Sequence, residues 1–482
     1  MAMETEVLII GGGVGGTSIA RELSKYDVSV MLVEKEADVC FGATKGSCAL
    51  FHPGVEWTPG THAQSMIAES NQLMDQLAKE LDVELKRLGE ILLAFNEEEV
   101  ESLKVMKKQG DHIHVPDLEI IDNAEIRRLE PNVNPSAIAA LYMPTAGVVN
   151  PHDLTFAFYE NAQQNGVRML MATEVEKIIP ENGRYVVETN QEEIHTNYIV
   201  NAAGLFAEDV AKMIGDSNFK VLLGKGSNWI LDKRVGNLVN HIVKGLGDLK
   251  IFTRIKMVAP TFHGNIMIYR TIPEPAKGVD DVATERRIFD LTLESAKFLV
   301  PGVDYEKEVI TSFAGVVATN NGADFILEPS EKYPTFINAA LAAPGVTCSP
   351  AVGKRVVDIL KRVGLNLEEK LNFNPYRQGM QRFTHASEKK KEELIRKDPR
   401  YGHVICRCET VTEGEVVEAI RRGARTLDGV KFRTRAGMGR CQAGFCGPRV
   451  TNILARELGQ PYESITKRGR DSNYVLYKGK LL

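Results

Sequence analysis

The stretch Glu6-Val-Leu-Ile-Ile10-Gly11-Gly-Gly13-Val-Gly-Gly16 decides how the first half of the chain is read. A short apolar run, the first strand, passes directly into G-x-G-x-x-G, and a helix is predicted from about Gly15 to Lys25. Strand, glycines and helix in that order form the context in which the motif signals dinucleotide binding rather than a chance glycine turn. Val28 to Val33 reads as a second strand. Glu34 stands at its end, about 20 residues past the glycines, where an acid accepts the ribose hydroxyls of an adenine dinucleotide, with Lys35 beside it. Gly11, Gly13 and Gly16 then bring the pyrophosphate onto the helix N-terminus.

Later anchors decide which dinucleotide it is. Gly42-Ala43-Thr44 follows the second strand, Glu174-Val175 falls where a third strand clamps the adenine, and Val200-Asn-Ala-Ala203-Gly204 is a strand ending in a tight turn. Together these resemble the amino-acid oxidase and glycerol-3-phosphate dehydrogenase class of flavoproteins. Pro344-Gly345-Val346-Thr347, followed by Pro350-Ala-Val-Gly353, resembles that family's flavin-ring segment, where backbone N–H groups at a helix start face the pyrimidine carbonyl. Such donors stabilise an anionic reduced flavin. The resemblance runs across about residues 5 to 365 and implies FAD.

The C-terminal part carries a second motif. Cys406-Arg-Cys408, then 32 residues, then Cys441-Gln-Ala-Gly-Phe-Cys446 contains four of the seven cysteines. Thiolates paired so closely are metal or cluster ligands. Thr412-Glu-Gly-Glu415 predicts a capping box opening a helix through about Arg422, stopped by Gly423. Pro448 fits the first turn of another helix, running to about Leu458 and closed by Gly459 and Pro461, with Cys446 at its positive end. Cys406-Arg-Cys408-Glu-Thr-Val-Thr and Gly437-Met-Gly-Arg-Cys441-Gln resemble the bacterioferritin-associated-ferredoxin type of 2Fe-2S domain over about residues 403 to 460. A structural zinc site is the alternative, although C-x-C departs from the usual zinc knuckle. Arg407, Arg433, Arg435, Arg440 and Arg449 are expected near the ligands, where cations favour a reduced cluster.

With both parts in one chain, the sequence resembles the flavin subunit of anaerobic glycerol-3-phosphate dehydrogenases. The expected fold is α/β, a Rossmann-type FAD-binding domain with an interleaved α+β substrate domain and a small C-terminal helical iron-sulfur domain. Residues 1–80, 150–215 and 322–365 are assigned to the FAD-binding domain, and 81–149 and 216–321 to the substrate domain. A linker over 366–402 holds the mixed-charge run Glu388-Lys-Lys-Lys-Glu-Glu393, read as a solvated helix. The cluster domain spans 403–460, with a tail over 461–482.

The chain of 482 residues is long enough for several domains, and its net charge is only -5. With no dense basic tract, neither nucleic acid nor anionic lipid is expected as a partner. No apolar stretch reaches the ~18 residues of a membrane span, and no signal peptide is read. Cys40, Cys48 and Cys348 fall outside the cluster motif and are read as reduced thiols in a cytoplasmic protein.

Flavin chemistry needs the substrate C–H aimed at N5 and a base for the adjacent proton. His52 in Phe51-His-Pro-Gly54 matches a histidine that the family places near the flavin and is the first candidate for base or flavin-orienting group. His62, His152 and His263 are weaker candidates. Two departures bear on the substrate. The resemblance implies an arginine-tyrosine pair after H-x-G, where this chain has Glu56-Trp57, and a Gly-Val-Arg turn, where it has Gly315-Val-Val317. Without those arginine forks a phosphate loses bidentate contacts. Lys225, Arg254 and Arg270 remain as anion contacts, and Glu56 is read as attracting a cationic amine or pairing with a lysine. Glycerol 3-phosphate is therefore expected to be a poor substrate.

The expected activity is a dehydrogenase that oxidises a small molecule by hydride transfer to flavin N5 and passes electrons through the cluster to a partner, a second flavoprotein or acceptor subunit in a hetero-oligomer. The alternatives are a 2-hydroxy-acid or amine dehydrogenase, and an electron-transfer subunit with no small-molecule substrate of its own.

Overall fold

The computed structural model describes residues 2–246, 256–270, 275–320 and 324–477. Met3–Ile10 forms the central strand of the first sheet, flanked in parallel by Val30–Val33 and Glu193–Asn201. Its Val7, Leu8 and Ile9 are fully buried, as expected of a parallel strand covered on both faces. Arg168–Leu170 extends the sheet on one side. Arg184–Thr189 and Val175–Glu181 extend it on the other, while Phe336–Ala340 pairs in parallel with the far end of Glu193–Asn201.

The glycine-loop helix Val14–Leu23 packs against Gly345–Arg362, so the chain returns to its first βα unit some 330 residues later. His62–Leu81 lies along the same long helix. Both predicted strand starts shift inside the glycine-loop unit: the first strand begins at Met3, and the second at Val30 rather than Val28.

The second sheet has eight strands, in the order Val309–Asn320, Val221–Leu231, Ile266–Arg270, Lys256–Pro260, Ile242–Gly245, Glu90–Ala94, Ala139–Met143 and Glu119–Asp122. One face packs on the helix Arg286–Leu299, through Ile288, Leu293, Ala296 and Leu299. Its other face meets a small three-stranded sheet, Leu50–Phe51 with Gly147–Val149 and Leu85–Arg87, through Leu50, Val148, Met257 and Met267. That small sheet delivers His52.

Residues 366–402 are not a free tether. Arg377 is buried, with its Nε 2.6 Å from Glu160 Oε2 and its Nη1 3.3 Å from Asp153 Oδ1. The charged helix Glu388–Lys397 buries only Leu394. Beyond it, Val404–Cys406 pairs with Val411–Thr412, and the helices Glu413–Arg421, Leu427–Thr434 and Gly447–Leu458 surround a core of Val416, Ile420, Val430 and Leu454. The Thr412–Glu415 capping box forms in both directions, and Gly459 closes the last helix at φ +63°. The middle helix was not anticipated. Among the described residues, no helix is long and apolar enough to cross a membrane.

Candidate active site and cluster centre

The glycine loop has the shape of a phosphate cradle. A Cβ on Gly11 would lie 2.5 Å from the Ala202 carbonyl oxygen, and Gly11 itself sits at φ +112°. On Gly16 a Cβ would run into the carbonyl of Gly11. At Gly13 it would meet only Thr44 Oγ1, at 3.4 Å, which leaves space for a ligand. Glu34 is buried, and its carboxylate accepts from the Gly12 N–H at 2.6 Å and the Glu36 N–H at 2.9 Å. Burial raises its pKa despite those two donors.

The other residues expected from sequence to hold the dinucleotide lie around this loop. Thr44 Oγ1 accepts from the Val14 N–H at 3.2 Å, tying the 3₁₀ turn Ala43–Gly46 to the helix start, and Gly42 faces open space. Lys35 Nζ lies 3.2 Å over the Phe206 ring, just past Ala203 and Gly204, and Gly204 adopts φ +56°. Val175 follows Thr173, whose N–H bonds the Glu34 carbonyl at 2.8 Å. This donor set, with its glycine cradle, fits an adenine dinucleotide.

At the opposite end, Gly345, Val346 and Thr347 open the long helix, and Thr347 Oγ1 accepts from the His52 N–H at 3.3 Å. His52 is 9% exposed, its carbonyl accepts from Asn71 Nδ2 at 3.0 Å, and its ring meets Trp57 edge-on at 4.7 Å. Burial, with Lys244 nearby, holds the imidazole below its ordinary pKa, so it is neutral at pH 7.

Glu56 is fully enclosed and engaged. Its Oε2 lies 2.7 Å from Lys244 Nζ and 3.5 Å from His52 Nδ1, and Lys244 Nζ is also 2.9 Å from Glu90 Oε2. Burial would raise the Glu56 pKa, but Lys244 and His52 overcome it and hold the group down to about 2. Of the two readings of Glu56, pairing with a lysine is the one observed. Lys244 and Glu90 were missed from sequence, although a charge inside Ile242-Val-Lys-Gly245 or before Ile91-Leu-Leu-Ala94 was the available signal.

The remaining anion candidates are occupied or elsewhere. Lys225 pairs with Asp281 at 2.6 Å and Glu285 at 3.4 Å. Arg270 donates to the Leu291 carbonyl and Ser295 Oγ on the helix that covers the far face of the sheet. Arg254 lies outside the described residues. Gly315-Val-Val317 is not a turn but the middle of a strand, paired with Gly224–Gly226, and Gly315 makes close backbone contact with Gly46. His62 opens the helix His62–Leu81 and donates its N–H to Asp324 Oδ2 at 2.9 Å. His263 lies beside Glu84 and His385, and burial lowers its pKa to about 4.

In the C-terminal domain the four predicted ligands converge. Cys408 Sγ and Cys441 Sγ are 3.8 Å apart, and Cys406 and Cys446 are hydrogen-bonded to each other. The bond from Cys446, with the Gly437 and Glu409 N–H groups aimed at its sulfur, lowers Cys406 to about 6. Cys446 is the N-cap of Gly447–Leu458, so its sulfur sits at that helix's positive end. Four sulfurs in two close pairs, with backbone donors around them, suit an anionic cluster. Of the five arginines expected here, Arg435 pairs with Glu409 at 2.9 Å, Arg440 with Asp232 at 2.7 Å, and Arg433 turns away to Asp38. Cys40 and Cys348 are buried free thiols, and Cys48 is a partly buried one.

The domain docks on both sheets' surroundings. Phe432 stacks on His152 at 4.5 Å and meets Phe41 edge-on at 5.4 Å, while Lys233 reaches Glu409 at 3.0 Å. His152 is thus a packed interface residue, and burial with neighbouring cations lowers it to about 3.

The FAD dependent oxidoreductase family matches residues 6–359, and the BFD-like 2Fe-2S binding domain matches residues 404–456. A glycerol 3-phosphate dehydrogenase of Caloramator mitchellensis is 41% identical over 98% of this chain and 98% of that protein. One subunit of the anaerobic glycerol-3-phosphate dehydrogenase of Escherichia coli (strain K12) is 24% identical over 94% of this chain and 89% of that protein. Among solved structures, dithionite-reduced L-alpha-glycerophosphate oxidase from Mycoplasma pneumoniae, with FAD bound, superposes with a TM-score of 0.72 at 26% identity, over 78% of this chain and 98% of that one. The chain therefore belongs to the FAD dependent oxidoreductases, carrying FAD on its glycine-loop domain and a 2Fe-2S cluster on a BFD-like C-terminal domain.

Proposed function

We propose that the protein is a glycerol 3-phosphate dehydrogenase that delivers its electrons to a separate acceptor protein. The observation that carries the reading is His52, neutral and nearly buried, bonded through its backbone to the Thr347 hydroxyl at the start of the flavin-ring helix. FAD, when bound, supplies the hydride acceptor, and the cluster supplies a one-electron exit. His52 takes the hydroxyl proton as the carbinol C–H leaves with its electron pair, so the alcohol becomes a ketone. Thr347 and Asn71 fix the backbone on either side of the imidazole, and Trp57 covers one edge of its ring.

Glycerol 3-phosphate is favoured by the full-length relative of that name, which spans both domains. Of the sequence-based objection, the part that rests on a free Glu56 falls, because Lys244 pairs with it in the interior; the absence of an arginine at Val317 remains. The same pairing removes the basis for an amine substrate. We assign residues 1–80, 150–215 and 322–365 to flavin binding, 81–149 and 216–321 to the substrate side, 366–402 to a docked connector and 403–460 to the cluster. A partner chain is supported by the Escherichia coli relative, whose name makes it one subunit of its enzyme. A cytoplasmic enzyme, held at a membrane only through that partner, is the location in keeping with this reading.

Anaerobic titration of the oxidised holoenzyme with glycerol 3-phosphate, a 2-hydroxy acid and a primary amine tests the substrate. Flavin bleaching by glycerol 3-phosphate at a rate well above the others is expected. Bleaching by the 2-hydroxy acid alone overturns the assignment.

A further inference from the structure

Two carboxylates and one ammonium are sealed beside His52, which is one carboxylate more than an ion pair needs. Lys244 and Glu90 come from neighbouring strands of the second sheet and have side chains 1% exposed, and Glu56 follows His52 with a side chain 5% exposed. A metal ion has no room in this group, because Lys244 Nζ already sits between Glu56 and Glu90. Glu56 Oε2 is shared between the lysine and the histidine, and among the described residues His52 Nδ1 makes no hydrogen bond within normal geometry. Contacts of this kind are commonly long without substrate and shorten when it binds.

We propose that Glu56 is a positioning residue for the oxidation, holding His52 with its proton on Nδ1 and its Nε2 free for the substrate hydroxyl, while Lys244, held in turn by Glu90, keeps Glu56 ionised. The proposal rests on the reading of His52 as the base. An unpaired negative charge in this interior is costly, so one of the two carboxylates keeps a proton. Geometry selects Glu90, since Glu56 has two cationic or donor neighbours and Glu90 has one. Consistently, burial and the charge on Glu56 push Glu90 up to about 8. The resulting set, anionic Glu56, cationic Lys244 and neutral Glu90, is electrically balanced and leaves Glu56 as the acceptor that steadies an imidazolium when His52 takes the proton.

The groups facing this set are few. Among the described residues the charged groups that act on His52 are Glu56 and Lys244, while Asn71 of the helix His62–Leu81 and Thr347 of the helix Gly345–Arg362 are neutral and bond its backbone. Cys48 lies near Lys244 and Glu56, and burial keeps it a neutral thiol. No other titratable side chain perturbs Glu90 than Glu56 and Lys244 among the described residues.

The test begins with the unmutated, 15N-histidine-labelled holoenzyme, with the His52 signals assigned by their loss in His52→Gln. The Nδ1–H tautomer is expected; an Nε2–H tautomer overturns the proposal even if no Glu56 variant folds. Glu56→Gln should mix the tautomers and lower the rate of flavin reduction on the order of 10²-fold with little change in KM, and Glu56→Asp should recover part of that loss. A Glu56→Gln enzyme with the original tautomer and rate also overturns it. If His52→Gln still reduces its flavin at the original rate, the base reading fails, whereas the tautomer result continues to report on Glu56 alone.

Discussion

Asp38, four residues past Glu34 at the end of the second strand, forms a fully enclosed ion pair with Arg433 of the cluster domain. Arg433 Nη2 is 2.9 Å from Asp38 Oδ1, Nη1 bonds the other oxygen, and the guanidinium lies 3.9 Å over the Phe156 ring. The pair therefore bolts the flavin-binding sheet to the helix Leu427–Thr434. Removing one partner leaves the other charge buried and alone, at a cost of about 3–5 kcal/mol. Arg433→Ala is expected to lower Tm and to loosen the cluster domain. Hydrogen exchange should rise first over residues 427–434, and flavin reduction by substrate should outlast transfer to an external acceptor.

Cys441→Ser should remove the cluster and leave FAD in place, because its fellow ligands Cys406 and Cys446 pack in one core and the helix after the glycine loop, through Ile19 and Leu23, packs in another. The check is metal and sulfide analysis beside the flavin spectrum. The unmodified protein should hold about two iron and two sulfide per chain, as a 2Fe-2S centre on four thiolates requires. Zinc in its place would refute the assignment.

The glycine loop offers two substitutions with different outcomes. Gly16→Ala drives a methyl group into the Gly11 carbonyl inside the first core, so the protein should fail to accumulate in folded form. Gly13→Ala meets only Thr44 Oγ1 and should fold, but the added methyl occupies the phosphate cradle. The expected product is a soluble apoprotein with FAD affinity lowered at least about tenfold, read by flavin fluorescence titration.

What could be read from the sequence was whatever is local. Gly11, Gly13, Gly16 and Glu34 announce themselves by spacing, as do Cys406 with Cys408 and the Thr412–Glu415 box, because each motif closes within one or two elements. The helix Leu427–Thr434 stayed hidden because the face it buries includes Asp428, Arg433 and Thr434, so no apolar period marks it. The tetrad at His52 was hidden for another reason: Glu56 was read as attracting an amine or pairing with a lysine, but Lys244 is 188 residues away and nothing local says which lysine the second sheet brings to it.

Glu90 makes stability fall as pH rises. Its folded pKa, about 8, lies above the ~4.3 of an unfolded glutamate. The folded state then binds the extra proton between those values, so the stabilising contribution is complete below about pH 4 and is lost as pH climbs through 8. Glu56 has the opposite sign: its folded pKa is depressed, and its contribution is lost only as pH drops toward 2. Glu90→Gln should flatten the decline of Tm between pH 5 and about 8 without altering the acid limb. An unchanged slope in that variant would place the decline on other groups.

Replacing Glu56 by arginine separates the sequence-based expectation from the structural one. From sequence alone, Glu56→Arg restores a guanidinium that grips phosphate, and should improve binding of glycerol 3-phosphate. In the folded protein the new cation would arrive 2.7 Å from where Lys244 Nζ already stands, with Glu90 as the remaining carboxylate of the group. Two buried cations against one acid leave a positive charge unpaired, and the longer side chain must fit where Glu56 is 6% exposed. The substitution is expected to cost about 3–5 kcal/mol, to strip His52 of its acceptor and to depress flavin reduction by every substrate rather than improve one. Tm and anaerobic bleaching by glycerol 3-phosphate measure both effects. A variant that kept its Tm and gained affinity for the phosphate ester would mean that Glu56 faces the substrate and not Lys244.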